Sequence, residues 1–147
     1  NSYGPGEVPG KYRNVIPNFF YWAMKGLPLP ITGEGTETRD WTYVGDIVNG
    51  LLAMGVRDEA IGEAFNLGSA KEQRVIDMAN MVNELTGNEA GIKFTERRNW
   101  DVKTRLLSCV DKANRVIGYE PKMSFKDGLV ETHRWFVENW ENIEKSA

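Results

Sequence analysis

Apolar side chains recur every three or four residues in five stretches of the chain, the spacing that places them on one face of a helix. The predicted helices cover residues 15–25, 46–56, 73–86 and 111–117, and a last one begins at Ser124. Gly87 and Gly118 directly follow two of these stretches, as glycine commonly does at the end of a helix. The pattern therefore predicts a chain built largely from short and medium-length helices.

Three polar residues stand where helices are predicted to begin. Asp46 and Asp111 precede apolar periods, and an aspartate in that place commonly accepts a hydrogen bond from a backbone N–H of the first turn. Ser124 is followed three residues later by Asp127, which resembles a capping box with Asp in place of Glu or Gln. We predict that Asp46, Asp111 and Ser124 cap the three helices.

Short extended segments separate the predicted helices. Residues 27–32 contain two prolines, which exclude a regular helix there. Aromatic and β-branched side chains predict a strand at Trp41–Val44, and short apolar runs predict strands at Ala64–Leu67 and Ile92–Thr95. Residues 1–14 are rich in glycine and proline and are predicted to form a loop. Helices alternating with short strands predict an α/β chain with α+β character.

Composition and charge narrow the function classes. The chain has 147 residues, enough for one domain, and a net charge of −3, which argues against binding nucleic acid through bulk charge. The single cysteine, Cys109, excludes an internal disulfide, and with the single histidine, His133, it cannot complete a tetrahedral zinc site. Cys109 lies in an apolar stretch and is predicted to be buried. The chain has no long apolar run and no signal peptide at its start, so we expect a cytoplasmic protein without a membrane partner.

Tyr21 and Lys25 have the spacing Tyr-x-x-x-Lys, which places a phenol and an ammonium on one face of a helix. Such a pair can act as a general base, because the cation lowers the pKa of the phenol. The same spacing arises readily in an amphipathic surface helix, and we interpret the pair in that second way.

A group of arginines is the stronger candidate for binding. Arg39 lies between a glycine turn and a predicted strand, and Arg97 and Arg98 follow the last predicted strand. Two guanidinium groups at strand ends could bind one diphosphate through bidentate, charge-assisted hydrogen bonds. The residues alone leave an alternative open, in which these arginines form solvated ion pairs with Asp40 and Glu96 that contribute little.

Short motifs follow one another in a specific order along the whole chain. They are Asn-Ser-Tyr-Gly-Pro-Gly at 1–6, Asn-Val-Ile-Pro at 14–17, Gly-Leu-Pro-Leu at 26–29, Gly-Glu-Gly at 33–35, Arg-Asp-Trp-Thr-Tyr-Val-Gly-Asp at 39–46, Phe-Asn-Leu-Gly at 65–68, Arg-Asn-Trp-Asp at 98–101, Gly-Tyr-Glu-Pro at 118–121 and Asp-Gly-Leu at 127–129. Each motif is weak alone, but the order is specific. In this order the sequence resembles the C-terminal part of the NAD-dependent sugar-nucleotide epimerase/dehydratase family, the extended short-chain dehydrogenases.

The resemblance implies a division of labour between two halves of the parent protein. In this family an N-terminal Rossmann half binds NAD and carries the catalytic residues, and the C-terminal half binds the nucleotide diphosphate of the substrate. Residues 1–147 would form that C-terminal nucleotide-sugar-binding domain, as a fragment that starts without Met and lacks the Rossmann half. Tyr21 and Lys25 do not match the family's catalytic position.

The resemblance also implies what the chain does alone. We expect no catalytic and no NAD-binding residue in it, NAD only in the full-length parent, and no turnover by this chain. A protein like UDP-glucose 4-epimerase is marginally favoured over a dehydratase or decarboxylase. The alternative is a stand-alone, non-enzymatic module that binds sugar nucleotides or another protein. The expected partners are a UDP- or dTDP-sugar and, through an exposed apolar surface, the missing Rossmann half or a second copy of the chain.

The residues that would contact the substrate follow from the same resemblance. Those that match diphosphate contacts are Asn1, Asn14, Arg39 and Arg98. Asp101 matches an acidic residue that contacts the ribose. The segment that would line the base pocket comprises Leu29, Pro30, Ile31 and Thr32. Thr32 stands where many relatives have an aromatic residue that packs on the base.

Overall fold

Helices alternate with short strands in the computed structural model, which describes residues 1–97, 99 and 102–146. The helices are α1 (Val15–Met24), α2 (Val44–Gly55), α3 (Val75–Thr86), α4 (Asp111–Ile117), α5 (Phe125–Glu138) and α6 (Trp140–Ser146), with a 3-10 turn at Asp58–Ala60. The strands are β1 (Ser2–Tyr3), β2 (Leu29–Thr32), β3 (Thr38–Arg39), β4 (Thr42–Tyr43), β5 (Gln73–Arg74), β6 (Ile92–Thr95) and β7 (Arg105–Leu106). This mixture confirms the predicted α/β character.

The strands in this part of the chain form three small sheets. β2 pairs in parallel with β6, with Leu29 opposite Ile92 and Thr32 opposite Thr95. β1 pairs in parallel with β4, and β3 lies between antiparallel β5 and parallel β7. The pattern predicts β2, β6 and β4, which lies within the strand expected at Trp41–Val44, but the other two-residue strands carry too few side chains for a recognisable alternation. β1 therefore falls inside the predicted loop, and β5 falls inside a predicted helix.

The main hydrophobic core lies between α1, α3 and α5. Phe19 and Phe20 of α1, Met78 of α3 and Phe136 of α5 are almost completely buried. The rings of Phe20 and Phe136 lie 5.5 Å apart between centroids. Burying a side chain of this size contributes about 1.5–3 kcal/mol, so the core determines where α1 lies.

The ends of the helices test the predicted caps. Gly87 and Gly118 adopt the left-handed conformation at the ends of α3 and α4. Ser124 caps α5, because its hydroxyl accepts a hydrogen bond from the backbone N–H of Asp127 at 3.1 Å. These three predictions are confirmed.

The other two predicted caps are wrong. α2 begins at Val44 with Tyr43 in the cap position, and Asp111 is already the first residue of α4. The carboxylate of Asp46 instead accepts hydrogen bonds from the backbone N–H groups of Lys122 and Met123, at 3.1 and 3.0 Å. Asp46 therefore joins α2 to the segment that precedes α5, a long-range role that local spacing does not reveal.

Two further predictions from apolar patterns are also wrong. Ala64–Leu67 is not a strand, since it pairs with no strand in the described part of the chain. Cys109 is exposed, and so are its apolar neighbours Leu106 and Leu107. An apolar run is buried only where another element covers it, and the irregular segment between β7 and α4 is left uncovered here.

One face of α2 is both apolar and exposed. Val48 exposes 46 % of its surface, Leu51 55 %, Leu52 64 % and Val56 83 %. We call these four residues the α2 face. Within the residues that the structure describes, no helix is long and apolar enough to cross a membrane.

Candidate substrate-binding cavity

A cavity of about 910 Å³ lies where the loop before α1, the first turns of α1 and the edges of β2, β3 and β6 meet. Pockets for small molecules typically have volumes of about 300–1,000 Å³. The predicted contacts that line it are Asn1, Asn14, Pro30, Ile31, Thr32 and Arg39. Residues from four separate segments of the sequence therefore meet around one space.

Of the other three predicted contacts, the structure describes only Leu29. Leu29 is completely buried in the hydrophobic core and is absent from the lining, so the structure does not bring it to the other residues. Arg98 and Asp101 lie outside the described residues.

The backbone of a neighbouring segment positions the side chain of Arg39. Its Nη1 donates to the carbonyl of Thr38 at 2.9 Å, and its Nη2 donates to the carbonyl of Lys103 at 3.1 Å. The alternative left open by the sequence, in which Asp40 forms a solvated ion pair with an arginine, is wrong for Asp40. Its carboxylate is buried and accepts hydrogen bonds from Ser69, Ala70 and Ser108.

Glu72 stabilises β3, the strand that carries Arg39, through side-chain hydrogen bonds. The Glu72 carboxylate accepts from Thr38 Oγ1 at 2.7 Å and from two nitrogens of Arg105 at 2.8 Å each. The hydrogen bonds from Arg105 and Thr38 lower the pKa of Glu72 to about 2. Glu72 therefore stays charged near neutral pH. Its carboxylate connects the side chain of Thr38 in β3 to that of Arg105 in β7.

The two predicted asparagines, Asn1 and Asn14, also line the cavity. Asn14 occupies the position before α1, and its Nδ2 donates to Glu7 Oε1 at 2.9 Å and to the carbonyl of Ser2 at 3.4 Å. The carbonyl of Asn1 accepts a hydrogen bond from the backbone N–H of Thr42 at 2.9 Å. The main chain beside β4 therefore anchors Asn1, and the loop before α1 orients Asn14.

Twelve residues of the described lining were not predicted as contacts, and Lys11, Arg13 and Asn18 are the polar ones among them that come from the loop before α1 and from α1 itself. The Asn18 side chain binds both sides of Gly10, accepting from its N–H at 2.9 Å and donating to its carbonyl at 3.1 Å. These bonds tie the Gly10 turn to α1, so Lys11 and Arg13 lie at the cavity. With Arg39, the described lining contains three cationic side chains and no carboxylate. The sequence signal for these two cations was a lysine and an arginine inside a Gly/Pro-rich loop. It was not sufficient, because the path of the loop depends on its hydrogen bonds to Asn18.

Tyr21 lines the cavity, although it was not predicted as a contact, and both Tyr21 and Lys25 have structural partners. The ring of Tyr21 stacks on Trp140 with centroids 5.6 Å apart. Lys25 Nζ pairs with Glu144 Oε1 at 2.6 Å. The hydrogen bond from Lys25 to Glu144 raises the pKa of the lysine. Both residues thereby connect α1 to α6.

His133 also has a packing role. Its ring stacks on Phe20 with centroids 5.8 Å apart and planes 7° from parallel. Burial lowers the pKa of His133, because it disfavours the charged imidazolium. His133 does not line the cavity.

Comparison with known proteins shows the family of the chain. The sequence model of the NAD dependent epimerase/dehydratase family matches residues 1–68. An epimerase from Methanothermobacter thermautotrophicus is 69 % identical, and its structure superposes with a TM-score of 0.98 over 100 % of this chain and 44 % of its own. The chain belongs to the NAD-dependent epimerase/dehydratase family. This membership confirms the resemblance seen in the order of the motifs.

Two further similar proteins are an enzyme solved with bound ligands and an enzyme of several activities. The Bordetella bronchiseptica enzyme WbmF, solved in complex with NAD+ and UDP, is 36 % identical, with a TM-score of 0.82 over 99 % of this chain and 46 % of its own. A trifunctional UDP-glucose 4,6-dehydratase, epimerase and reductase from Arabidopsis thaliana is 34 % identical over 141 residues, 95 % of this chain and 20 % of that protein. The chain spans less than half the length of each of these epimerase/dehydratase relatives.

Proposed function

We propose that this chain binds the nucleotide diphosphate of a nucleotide sugar, as the C-terminal portion of an NAD-dependent epimerase/dehydratase. The observation that carries the proposal is the meeting of Asn1, Asn14, Pro30, Thr32 and Arg39 around one cavity. The resemblance had singled these residues out from their motifs, and four separate segments contribute them.

The charge of the cavity supports an anionic ligand. Its described lining contains Lys11, Arg13 and Arg39 but no carboxylate, although the whole chain has a net charge of −3. A diphosphate is negatively charged and offers several oxygen acceptors. Hydrogen bonds to a charged group contribute about 1.5–3 kcal/mol each, so one such bond from each of the three cations contributes about 4.5–9 kcal/mol, and the upper end of this range corresponds to micromolar binding.

The apolar wall of the cavity suits the nucleoside. Pro30 and Ile31 come from β2, and Trp41 follows β3. An aromatic or aliphatic surface beside a few polar groups is the usual environment of a bound base. Thr32 adds a hydroxyl at the same end in place of the aromatic residue that many relatives carry.

Titration calorimetry tests this function. We expect UDP and UDP-glucose to bind the 147-residue chain more tightly than uridine, because uridine lacks the diphosphate. Arg39→Ala should weaken UDP binding by about 1.5–3 kcal/mol, or roughly 10- to 150-fold, and leave uridine binding unchanged. Arg134→Ala is the matched control, since Arg134 is exposed on α5 and pairs with Glu131 away from the cavity. Equal affinity for UDP and uridine would contradict the proposal.

We also propose that residues 1–147 form one domain that docks against an NAD-binding half of the parent protein through the α2 face. WbmF contains NAD+ and UDP together in a chain more than twice as long as the matched part. The exposed leucines of α2 offer an apolar surface for such a contact. The part of the Methanothermobacter epimerase that this chain does not match should form a complex with the chain when the two are mixed. Leu51→Gln with Leu52→Gln should abolish that complex.

The reaction of the parent follows from the family as a proposal. A protein like UDP-glucose 4-epimerase is favoured, and it would oxidise and re-reduce the sugar with NAD. We expect the 147-residue chain alone to show no turnover of NAD with UDP-glucose. UDP binding without any complex with an NAD-binding half would favour the stand-alone sugar-nucleotide module instead. The cytoplasmic location stays a prediction.

A further inference from the structure

We propose that Asp40 is a positioning residue for the diphosphate site, because its carboxylate determines where Arg39 lies. This inference rests on the proposed function, since it assigns the role of Asp40 in the same cavity. Asp40 itself does not line the cavity and is only 4 % exposed.

On one side, the carboxylate of Asp40 binds the segment that leads to β5. Its Oδ1 accepts from the backbone N–H of Ser69 at 2.9 Å and from the Ser69 hydroxyl at 2.5 Å. Its Oδ2 accepts from the backbone N–H of Ala70 at 3.1 Å. Ala70 has a φ of +55°, a conformation that is costly for a residue with a side chain. Two successive backbone N–H groups thus donate to one carboxylate, beside a residue in this costly conformation.

On the other side, the carboxylate extends the pairing of β3 with β7. The backbone N–H groups of Thr38 and Asp40 donate to the carbonyls of Thr104 and Leu106, each at 2.9 Å. The next link is made by the side chain, because Asp40 Oδ2 accepts from the N–H of Ser108 at 3.2 Å. The carboxylate thus takes the place of a backbone carbonyl where the two strands separate.

The close packing around Gly68 shows that these segments fit around the carboxylate. A Cβ atom at Gly68 would lie 2.4 Å from Ser108 Cβ and 2.8 Å from Asp40 Oδ2. The hydroxyl of Tyr119 fixes the same glycine by donating to its carbonyl at 3.0 Å. Neither flanking segment can therefore shift far while the carboxylate is in place.

The connection to the cavity runs through the carbonyl of Lys103. Arg39 Nη2 donates to this carbonyl, and Asp40 holds the same segment a few residues further along, at Ser108. Burial favours the neutral acid, but the hydrogen bonds from Ser69 and Ser108 outweigh it and lower the pKa of Asp40. A charged acceptor is therefore present near neutral pH. Without the carboxylate of Asp40, the segment after residue 102 is no longer held at Ser108, and the carbonyl of Lys103 that positions the Arg39 side chain is less firmly placed.

A double-mutant cycle tests this role. In Asp40→Asn the amide presents a donor to N–H groups that are donors themselves, so the anchor is lost with little change in size. We expect Asp40→Asn to weaken UDP binding at least about fivefold and to leave uridine binding unchanged. In the Arg39→Ala background the same substitution should have no further effect, because Asp40 acts through Arg39. Asp58→Asn, on the exposed 3-10 turn, is the control. Additive losses, or an unchanged UDP affinity in Asp40→Asn, would overturn the proposal.

Two measurements keep the proposal separate from a loss of folding or of the proposed function. Ser69→Ala removes the 2.5 Å hydroxyl bond to Asp40 and the hydroxyl's contacts with the backbone of Lys71, but it keeps both backbone N–H donors to the carboxylate. It should therefore give a smaller loss of UDP affinity that also vanishes in the Arg39→Ala background. The Arg39 Nε–H resonance in ligand-free protein should shift in Ser69→Ala and Asp40→Asn, while that of Arg134 should not. An unchanged Arg39 resonance would refute the positioning role even if UDP does not bind. A wild-type chain that shows the shifts but binds no UDP would refute only the proposed function.

Discussion

A methyl group added at Gly128 should disturb the packing that anchors the first strand. Gly128 lies in the first turns of α5, against the ring of Tyr3. A Cβ atom there would lie 2.1 Å from the Tyr3 hydroxyl oxygen and 2.8 Å from the ring carbon that bears it. Tyr3 is 2 % exposed, its ring lies 5.4 Å from that of Phe125, and its hydroxyl donates to the Phe125 carbonyl at 3.2 Å. The ring therefore has little room to move away.

The expected magnitude follows from two opposing effects. Forcing one extra methyl into a packed core costs about 1–3 kcal/mol, whereas replacing glycine by alanine in a helix gains up to about 1 kcal/mol. Gly128→Ala should thus lower the free energy of unfolding by up to about 3 kcal/mol, or by up to about 2 kcal/mol if the full helical gain of alanine is realised. For a chain of this length, each kcal/mol corresponds to a change of about 2–4 °C in the melting temperature.

Denaturant titration and thermal melting measure the effect against a matched control. Gly55 lies at the end of α2 with nothing within 4 Å of its added Cβ, so Gly55→Ala should leave stability unchanged or raise it slightly. Adding Tyr3→Phe to Gly128→Ala removes the nearest atom and should recover part of the loss. If Gly128→Ala is as stable as Gly55→Ala, the close packing of Tyr3 against α5 is not what the structure indicates.

Three further predictions concern pH, capping and association. Burial lowers the pKa of His133, so the folded state binds fewer protons than the unfolded chain. The free energy of unfolding, measured from pH 7 to 5.5, should therefore fall below about pH 6.5. His133→Phe should make the free energy of unfolding less dependent on pH in this range. Ser124→Ala should cost about 0.5–2 kcal/mol in the same denaturant assay, and no loss would refute its role as a cap. The wild-type chain should self-associate at high concentration, as measured by light scattering, and the double substitution Leu51→Gln with Leu52→Gln should reduce this association. If Val137→Gln, at an exposed valine of α5, reduces the association equally, the α2 face is not the surface that associates.

The helices of the core were predictable because their signals are local. The apolar period, Gly87 at the end of α3 and the Ser124 cap of α5 each depend on residues within a few positions of one another. Asp46 shows the limit of this approach. Its type and place suggested a cap, but its partners, Lys122 and Met123, lie more than seventy positions away.

The candidate site was predictable only where a motif marked it. Asn14, Thr32 and Arg39 were named from motifs in a specific order, and the fold brings them to one cavity. Lys11 and Arg13 were missed because their place depends on the hydrogen bonds of Asn18 to the Gly10 turn. Leu29 was included because it shares a segment with Pro30, yet it is completely buried in the core and does not line the cavity, whereas Ile31 on the same side of β2 does. Motif order thus identifies the segment, but the packing of each side chain decides whether it lines the cavity.

The central claim is that the cavity beside Arg39 binds the diphosphate of a nucleotide sugar. An NMR titration of the 147-residue chain with UDP tests it most directly, because side-chain amide and guanidinium signals report each wall of the cavity. We predict saturable shifts for Asn1, Asn14 and Arg39 that uridine does not reproduce, with the signals of Arg134 unchanged. Shifts confined to residues outside the cavity, or none at UDP concentrations up to the millimolar range, would contradict the account.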